Sequence, residues 1–384
     1  MSGMRPKLLF FVTEDWYFCS HRLPLAVAAA KEGFEVVVIT RVREHGDVIR
    51  HAGLRLISFE MSRRGWHLFR ELAAVARLVG IYRRERPDIV HHVAMKPILY
   101  GSLAARLSGV PQVLNAFAGM GWVFTSISRN ARLLRSLVST AMRVLLVSTD
   151  AIVQNLDDAA LMARWGVRGI HLIRGSGVDT DLFAPTPEPK GPPLVLLPAR
   201  MLWDKGVGEF VEMAGRLKAV GSEARFVLVG APDPENPAAV PMAQLIEWQQ
   251  QNLIEWWGAR DDMPAVYAQA HIVCLPSYRE GLPKVLLEAA ACGRAIVTTD
   301  TTGCRDAVAN GDTGLLVPVK DAAALADAVH RLIREPETRR RMGALGRRRV
   351  IEHFSDGKIV AATLKLYRKS AVPDLPAGKC EGQN

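Results

Sequence analysis

The sequence predicts an α/β protein with two facing domains, each built on a parallel β-sheet covered by helices. Three observations predict this class. Short apolar runs alternate with helical patterns along the chain, the alternation stops at a proline-rich segment, and it begins again beyond that segment. A length of 384 residues suits two such domains and is too long for one ordinary core.

The first half of the chain contains five candidate strands, and each is followed by a helical pattern. Their apolar runs are continuous, which is typical of a parallel sheet covered on both faces. They span Lys7–Thr13, Glu35–Thr40, Arg55–Glu60, Asp88–Val93 and Gln112–Phe117.

The segment Gly177–Pro193 contains five prolines and two glycines, and we interpret it as a linker. Six more candidate strands follow it, at Pro193–Arg200, Arg225–Gly230, Ile254–Ala259, Ile272–Ser277, Ala295–Asp300 and Gly314–Pro318. We therefore predict an N-terminal domain at residues 1–185 and a C-terminal domain at 186–355. A helix at 356–372 is expected to pack back on the first domain, and 373–384 is expected to be a flexible tail. Ligands of such sheets bind at the carboxyl ends of the strands, here in the cleft between the domains.

The composition argues against several classes of protein. Hydrophobic residues make up 49% of the chain and charged residues 23%, which is typical of a globular protein. The five cysteines form no CxxC pair, so we expect reduced thiols in the cytoplasm and no metal site. The first apolar run is short and ends before Glu14, and no apolar stretch is long enough to span a bilayer. We therefore expect neither a signal peptide nor a membrane span.

The net charge of +10 lies in the first half of the chain. Residues 1–170 contain 23 basic and 13 acidic residues, whereas the remaining residues contain 26 of each. Within this half, Arg129–Ser148 reads as a helix with four arginines on one arc of about 120° and apolar residues around them. Such a helix suits an anionic membrane surface, and the alternative is a sheet-covering helix with an exposed arginine stripe. No nucleic-acid partner is expected, because basic and aromatic residues are not interleaved.

Two glutamates stand on either side of a predicted helix start. Glu280 follows the strand Ile272–Ser277, Pro283 occupies the first helical position, and Glu288 lies about a turn and a half into the helix. Gly281 lets the backbone approach a ligand, and the helix N-terminus favours a phosphate, while the two carboxylates suit sugar and ribose hydroxyls. The alternative is that Glu280 only complements the helix dipole and Glu288 is solvated.

Cations follow the first strand of each half. Arg200 and Lys205 lie at a strand-to-helix turn, where they suit a diphosphate, although exposed basic residues at a domain rim are the alternative. His21 and Arg22 follow the first strand of the chain, in a loop that often binds phosphate or substrate.

The fourth candidate strand ends in His91 and His92, and Lys96 follows it. These side chains are candidates for contact with a substrate. A structural role is the alternative for the two histidines.

The segment that contains Glu280 and Glu288 also carries a specific resemblance. The segment SYREGLPKVLLEAAACGRAIVTTDTTG resembles the donor-binding motif of family 4 glycosyltransferases of the GT-B fold. PARMLWDKG resembles the Arg–Lys pair of that family, and GSGVDTDLFAP resembles its interdomain segment. The three segments come in the family's order, and the resemblance extends over most of residues 170–355.

This resemblance implies a role for each matching residue. Arg200 and Lys205 would bind the donor diphosphate, and the backbone of Gly281 and Leu282 would lie near its phosphates. Glu280 would contact the transferred sugar and Glu288 the ribose. Arg260 would line the pocket of the nucleotide base. No cofactor and no metal is implied, because the nucleotide sugar is a substrate and protein cations stabilise the leaving diphosphate.

The N-terminal half is similar to a narrower group, the bacterial enzymes that extend sugars on polyprenyl diphosphates. FVTEDWYFCSHRLPLA and KPILYGSLAARLSGVPQVLNAFAGMGWVFTS carry this resemblance. Many family members have a histidine after the fifth strand, but this chain reads NAFAGMG there. The group has Thr-Gly-Leu-Gly at this place, so the resemblance implies substrate contacts at Gly119 and Gly121 and leaves open which residue replaces the histidine.

Together the resemblances imply a retaining, metal-independent glycosyltransferase. It would move a sugar from a nucleotide sugar, in the first instance a UDP-sugar, to a polyprenyl-diphosphate-linked or glycan acceptor in cell-surface polysaccharide synthesis. It would act in the cytoplasm at the inner face of the cell membrane. The alternatives are a nucleotide-sugar epimerase, which would need no acceptor, and a relative that binds a nucleotide sugar without turnover.

Overall fold

Two parallel β-sheets build the protein, which confirms the predicted fold class. The structure is a computed structural model that describes residues 5–61, 68–117 and 139–371. The first sheet has the strand order β3-β2-β1-β4-β5-β6-β7, and the second has the order β10-β9-β8-β11-β12-β13. Neighbouring strands in both sheets pair in parallel.

The strands of the first sheet are β1 Lys7–Glu14, β2 Glu35–Arg41, β3 Arg55–Ser58, β4 Ile89–Val93, β5 Gln112–Ala116, β6 Asp150–Val153 and β7 Gly169–Leu172. Those of the second are β8 Leu194–Pro198, β9 Arg225–Val229, β10 Glu255–Trp256, β11 Ile272–Leu275, β12 Ala295–Thr299 and β13 Gly314–Val317. Successive side chains of a strand point to opposite faces, and both faces here are apolar. On β1, for example, Leu8 and Phe10 belong to one core cluster and Leu9 and Phe11 to the other.

The helices before β6 are α1 Asp15–His21, α2 Leu23–Lys31, α3 Gly46–His51, α4 Leu68–Glu85 and α5 Met95–Ser108. Those after β6 are α6 Leu156–Arg164, α7 Val207–Ala219, α8 Met242–Gln250, α9 Met263–Gln269, α10 Lys284–Ala291, α11 Cys304–Ala307, α12 Ala322–Arg334, α13 Pro336–His353 and α14 Asp356–Ala371. Residues 139–146 are also helical. Local signals fix several ends: Gly109 ends α5 in the left-handed conformation, and the Asp321 carboxylate accepts a hydrogen bond from the Ala324 amide at the start of α12.

The predicted strands are found with small differences at their ends. The prediction Ile254–Ala259 shortens to the two residues of β10. The two short strands β6 and β7 were not among the sequence candidates. Pro283 precedes the helix as its N-cap, so the prediction that it occupies the first helical position is wrong by one residue.

The C-terminal helix α14 returns to the first sheet. Its Tyr367 is fully buried against Phe10 and Phe34, and Arg368 pairs with Glu32 on the surface. The chain therefore crosses twice between the domains, once at the linker and once before α14.

Part of the predicted basic helix lies outside the described residues, namely 129–138. In the described part, Met142 and Leu146 are buried while Arg143 and Val144 are exposed. Among residues 5–61, 68–117 and 139–371, no helix is long and apolar enough to cross a bilayer.

Candidate active site

An ion pair marks the carboxyl ends of the strands in the second sheet. Lys205, in a short 3-10 turn after β8, places Nζ 2.5 Å from Oε1 of Glu280, in the loop after β11. Ser277 donates a hydrogen bond of 2.7 Å to the same oxygen. Both charged side chains are mostly buried, at 20% and 12% exposure, and each keeps a small part of its surface exposed to solvent.

Two glycines allow this loop to pack closely on its neighbours. A Cβ on Gly206 (φ +74°) would lie 2.2 Å from the carbonyl oxygen of Pro276. A Cβ on Gly303 (φ +82°) would lie 2.4 Å from the carbonyl oxygen of Gly281 and 2.7 Å from that of Glu280. Both positions therefore need glycine, for the positive φ and for the space.

Arg200 lies two residues beyond β8, on the same edge of the sheet as Lys205. Its guanidinium donates to Asp233 at 2.7 Å and is 41% exposed, so it keeps a face toward solvent. Between the two cations, burial raises the pKa of Asp204, and the nearby Lys205 partly offsets this rise. Basic and acidic side chains are thus interleaved where the sheet opens, with Arg200 paired to Asp233 and Lys205 to Glu280.

Glu288 is buried on α10, so the alternative that it is a solvated helix residue is wrong. It is 9% exposed and accepts a hydrogen bond of 3.0 Å from the Tyr267 hydroxyl. Burial raises its pKa, whereas Lys284 one turn earlier and the Tyr267 hydrogen bond act to lower it. A second, mostly buried carboxylate therefore lies on the helix that follows the Glu280 loop.

The Glu280 loop is tied to the N-terminal domain by side chains that the sequence did not indicate as functional. Asn155, fully buried after β6, donates to the carbonyl oxygen of Gly281 at 2.9 Å. Asp158 on α6 accepts from Arg279 at 2.7 Å. The only sequence signal at this place is the N-cap pattern of α6, in which the Asn155 side chain accepts from the Asp158 amide.

Across the cleft, His21 ends α1 and Arg22 lies between α1 and α2, so the prediction that they lie in the loop after the first strand is wrong: a helix separates them from β1. His21 stacks on Tyr17 with 4.1 Å between ring centroids. Lys284 of the second domain donates to the carbonyl oxygen of Ser20 beside them. The structure therefore brings the junction of α1 and α2 to the start of α10.

The remaining candidates occupy different surroundings. Lys96 pairs with Glu71 of α4 at 3.4 Å, and Arg260 pairs with Asp262 at 2.6 Å on the surface. His92 is buried between the Tyr82 hydroxyl, at 3.0 Å, and the Asn115 amide oxygen, at 2.8 Å, which is a structural position.

Gly119 and Gly121 lie outside the described residues. Within the described part of the chain, no cluster of three or more His, Cys, Asp or Glu side chains has the arrangement of a metal site.

Comparison with known proteins agrees with this geometry. A sequence profile for "Glycosyl transferases group 1" matches residues 178–349, and one for "Glycosyl transferase 4-like" matches residues 7–155. The N,N'-diacetylbacillosaminyl-diphospho-undecaprenol alpha-1,3-N-acetylgalactosaminyltransferase of Campylobacter jejuni is 30% identical over 362 residues, covering 90% of this chain and 94% of that protein. The alpha-maltose-1-phosphate synthase of Mycolicibacterium smegmatis is 31% identical and covers 77% of this chain and 82% of its own.

Solved structures show the same fold. A sucrose-phosphate synthase from Thermosynechococcus elongatus superposes with a TM-score of 0.78 at 23% identity, over 95% of this chain and 99% of its own. Anabaena HepE in complex with UDP and glucose superposes with a TM-score of 0.77 at 16% identity, over 95% of this chain and 100% of its own. The chain belongs to the group 1, family 4-like glycosyltransferases of the GT-B fold, and it is a glycosyltransferase.

Proposed function

We propose that the protein is a retaining glycosyltransferase that moves a sugar from a UDP-sugar to a lipid-linked acceptor in cell-surface polysaccharide synthesis. The observation that carries this proposal is the Lys205–Glu280 ion pair at the mouth of the second sheet, with Arg200 beside it and Glu288 buried behind it. A cation pair suits a diphosphate, and two carboxylates suit the hydroxyls of two sugars.

In this proposal the cations assist the leaving group. Arg200 and Lys205 stabilise the charge that develops on the β-phosphate when the glycosidic bond to the donor breaks, in a partly dehydrated site where such stabilisation is strong. No resident metal is assigned to this task. Glu280 positions the sugar, because Lys205 and Ser277 both bind its Oε1 and leave Oε2 for a sugar hydroxyl.

Retention needs no protein base in this scheme. The departing diphosphate stays on the face from which the acceptor attacks and accepts the acceptor's proton. Glu288 binds the ribose, with its carboxylate oriented by Tyr267. The UDP preference is supported by the solved relatives whose structures contain UDP or UDP-glucose.

The acceptor is proposed from the chemistry of the first domain. The whole net charge lies in residues 1–170. Between α4, α5 and the helix at 139–146, a cavity of about 340 Å³ is lined mostly by apolar side chains, of which Leu72 is exposed. Val144, on the helix at 139–146, is exposed as well. Basic and apolar surface together suit an anionic membrane that carries a polyprenyl-diphosphate-linked sugar. The related Campylobacter jejuni protein is named for a diphospho-undecaprenol acceptor.

The test is transfer from a panel of nucleotide sugars to a polyprenyl-diphosphate-linked sugar, with and without EDTA. We expect one UDP-sugar to be consumed in the presence of chelator, and NMR of the product to show the anomeric configuration of the donor. Loss of activity in EDTA would overturn the metal-independent mechanism, and an inverted product would overturn retention.

The same panel separates the alternatives. An epimerase would isomerise a nucleotide sugar when no acceptor is present. A binding protein without turnover would retain UDP, as seen by calorimetry, yet transfer nothing to any acceptor. Flotation with anionic and neutral vesicles tests the membrane contact, and equal binding to both would contradict an electrostatic attachment.

A further inference from the structure

Arg22 is a buried cation that pairs with no carboxylate among the described residues. It lies between α1 and α2 and is only 5% exposed. Within the described ranges, no Asp or Glu pairs with its guanidinium, and its Nε has no hydrogen-bond partner. Other buried arginines differ, since Arg339 holds Glu188 through two hydrogen bonds and Arg294 donates to a backbone carbonyl. A buried guanidinium without such compensation is costly, and this favours an anion as its partner.

Further cations converge beside Arg22 from the other domain. Tyr17 and His21 lie one turn apart on α1 and stack almost parallel, at 7°. Burial, and then the charges of Lys284, Arg22 and Arg200, lower the pKa of His21 to about 3. Each of the charged side chains that shift this pKa is therefore a cation, and two of the three come from the C-terminal domain. Such a convergence creates a positive field at one place in the cleft.

His91 lies close enough to Arg22 for its charge to act on the imidazole, and it has a second buried nitrogen without a partner among the described residues. Its Nδ1 bonds the Tyr367 hydroxyl at 2.5 Å, and its ring stacks on Phe10 at 5.1 Å. Burial, followed by the charge of Arg22, lowers its pKa well below the usual range, so the imidazole is neutral. Its Nε2 is buried and has no partner in the described part of the molecule. Buried polar atoms are seldom left in this state, and phosphate oxygens or their water are partners that would satisfy them.

We propose that Arg22 and His21 form the N-terminal half of a phosphate subsite that closes against Arg200 and Lys284 of the C-terminal domain. The ligand is a diphosphate ester. This inference rests on the proposed function, which supplies two such esters, the donor and the lipid-linked acceptor. His91, braced by Tyr367 of α14, positions the subsite and does not react.

The experiment compares Arg22→Gln with Arg22→Lys and with a control, Arg50→Gln, an exposed arginine outside the cleft that pairs with Asp47. Calorimetry measures the Kd of UDP and of inorganic pyrophosphate, and steady-state kinetics measures KM for donor and acceptor. A charge-assisted contact corresponds to a loss of about 10- to 100-fold. If the diphosphate ester is that of the donor, Arg22→Gln raises the Kd of UDP by this factor. If it is that of the acceptor, the Kd of UDP stays within twofold of the wild-type value and the KM for the acceptor rises by this factor. Arg22→Lys should recover part of the loss, and Arg50→Gln should show none.

A second readout does not depend on turnover or on the variant's stability. In the wild-type protein, pyrophosphate should neutralise the local field and raise the pKa of His21, as followed by NMR titration. The proposal is overturned if Arg22→Gln folds and changes neither UDP binding nor the acceptor KM by more than twofold, or if pyrophosphate leaves the His21 titration unchanged. If instead the proposed glycosyltransferase function is wrong and the phosphate subsite is right, pyrophosphate would still bind in a way that depends on Arg22, but no nucleotide sugar would be turned over.

Discussion

Replacing Gly303 by alanine should displace the Glu280 loop and impair sugar transfer. Gly303 precedes α11 at φ +82°, and an added Cβ would lie 2.4 Å from the carbonyl oxygen of Gly281. Cβ atoms need about 3.0–3.4 Å, so one of the two segments must move by about 0.6–1 Å. Misplacement of about 1 Å in a site can cost on the order of 100-fold. We therefore expect kcat/KM to fall by about 10- to 100-fold.

The matched control is Gly311→Ala. Gly311 has the same φ of +82°, but nothing lies within 4 Å of its added Cβ. Both variants incur the cost of a side chain at positive φ, about 1–2 kcal/mol, and only Gly303→Ala adds the clash. UDP release in a coupled assay gives kcat/KM, and urea unfolding gives the free energy of unfolding. If Gly303→Ala keeps kcat/KM within twofold of Gly311→Ala, the close packing of the two loops does not position Glu280, and the reasoning fails.

Three further predictions follow from the same geometry. Lys205→Ala and Glu280→Gln should each lower kcat/KM by about 100-fold or more and leave the circular dichroism spectrum unchanged. Because the two side chains act as a pair, the double variant should lose much less activity than the product of the two single losses. A loss equal to that product would contradict this. Asn155→Ala should lower the free energy of unfolding by about 1–3 kcal/mol in urea titrations, since it leaves the buried carbonyl of Gly281 without its partner; an unchanged value would show that water replaces the amide. The pKa of His21 in the folded protein, about 3, lies below its ordinary value of 6.5, so the unfolded chain binds a proton that the folded protein does not. The free energy of unfolding should therefore fall as the pH drops from about 6.5 toward 3. His21→Gln should reduce this fall between about pH 7 and pH 5, and an identical pH dependence in the variant would count against the prediction.

The parts of the site that could be predicted are those set by local sequence. Glu280 and Lys205 each follow an apolar run that predicts a buried strand, and the sequence analysis put both at strand ends of the same sheet. That the two side chains are in direct contact is a finding of the structure. The strands themselves were predicted for the same reason, whereas β6 and β7 are only four residues long and carry too little apolar pattern to be recognised.

Contacts between distant segments could not be predicted. Asn155 reaches a carbonyl 126 positions away, and no local pattern distinguishes this residue from an ordinary helix cap. The burial of Glu288 likewise depends on Tyr267, 21 positions earlier on another helix, which supplies the hydrogen bond that makes a buried carboxylate tolerable. A helix pattern alone assigns such a residue to the solvent side.

The position of Glu280 is consequently a property of both domains. Lys205 and Ser277 fix its carboxylate from the C-terminal domain, while Asn155 fixes the following carbonyl from the N-terminal domain. A movement that separates the domains would have to break the Asn155 hydrogen bond, so the position of the Glu280 loop depends on the contact between the domains. The buried charge of Arg22 reinforces this coupling. It has no carboxylate of its own among the described residues, so an anion in the proposed subsite, bound between Arg22 and Arg200, would hold the two domains together and stabilise the contact that fixes the Glu280 loop.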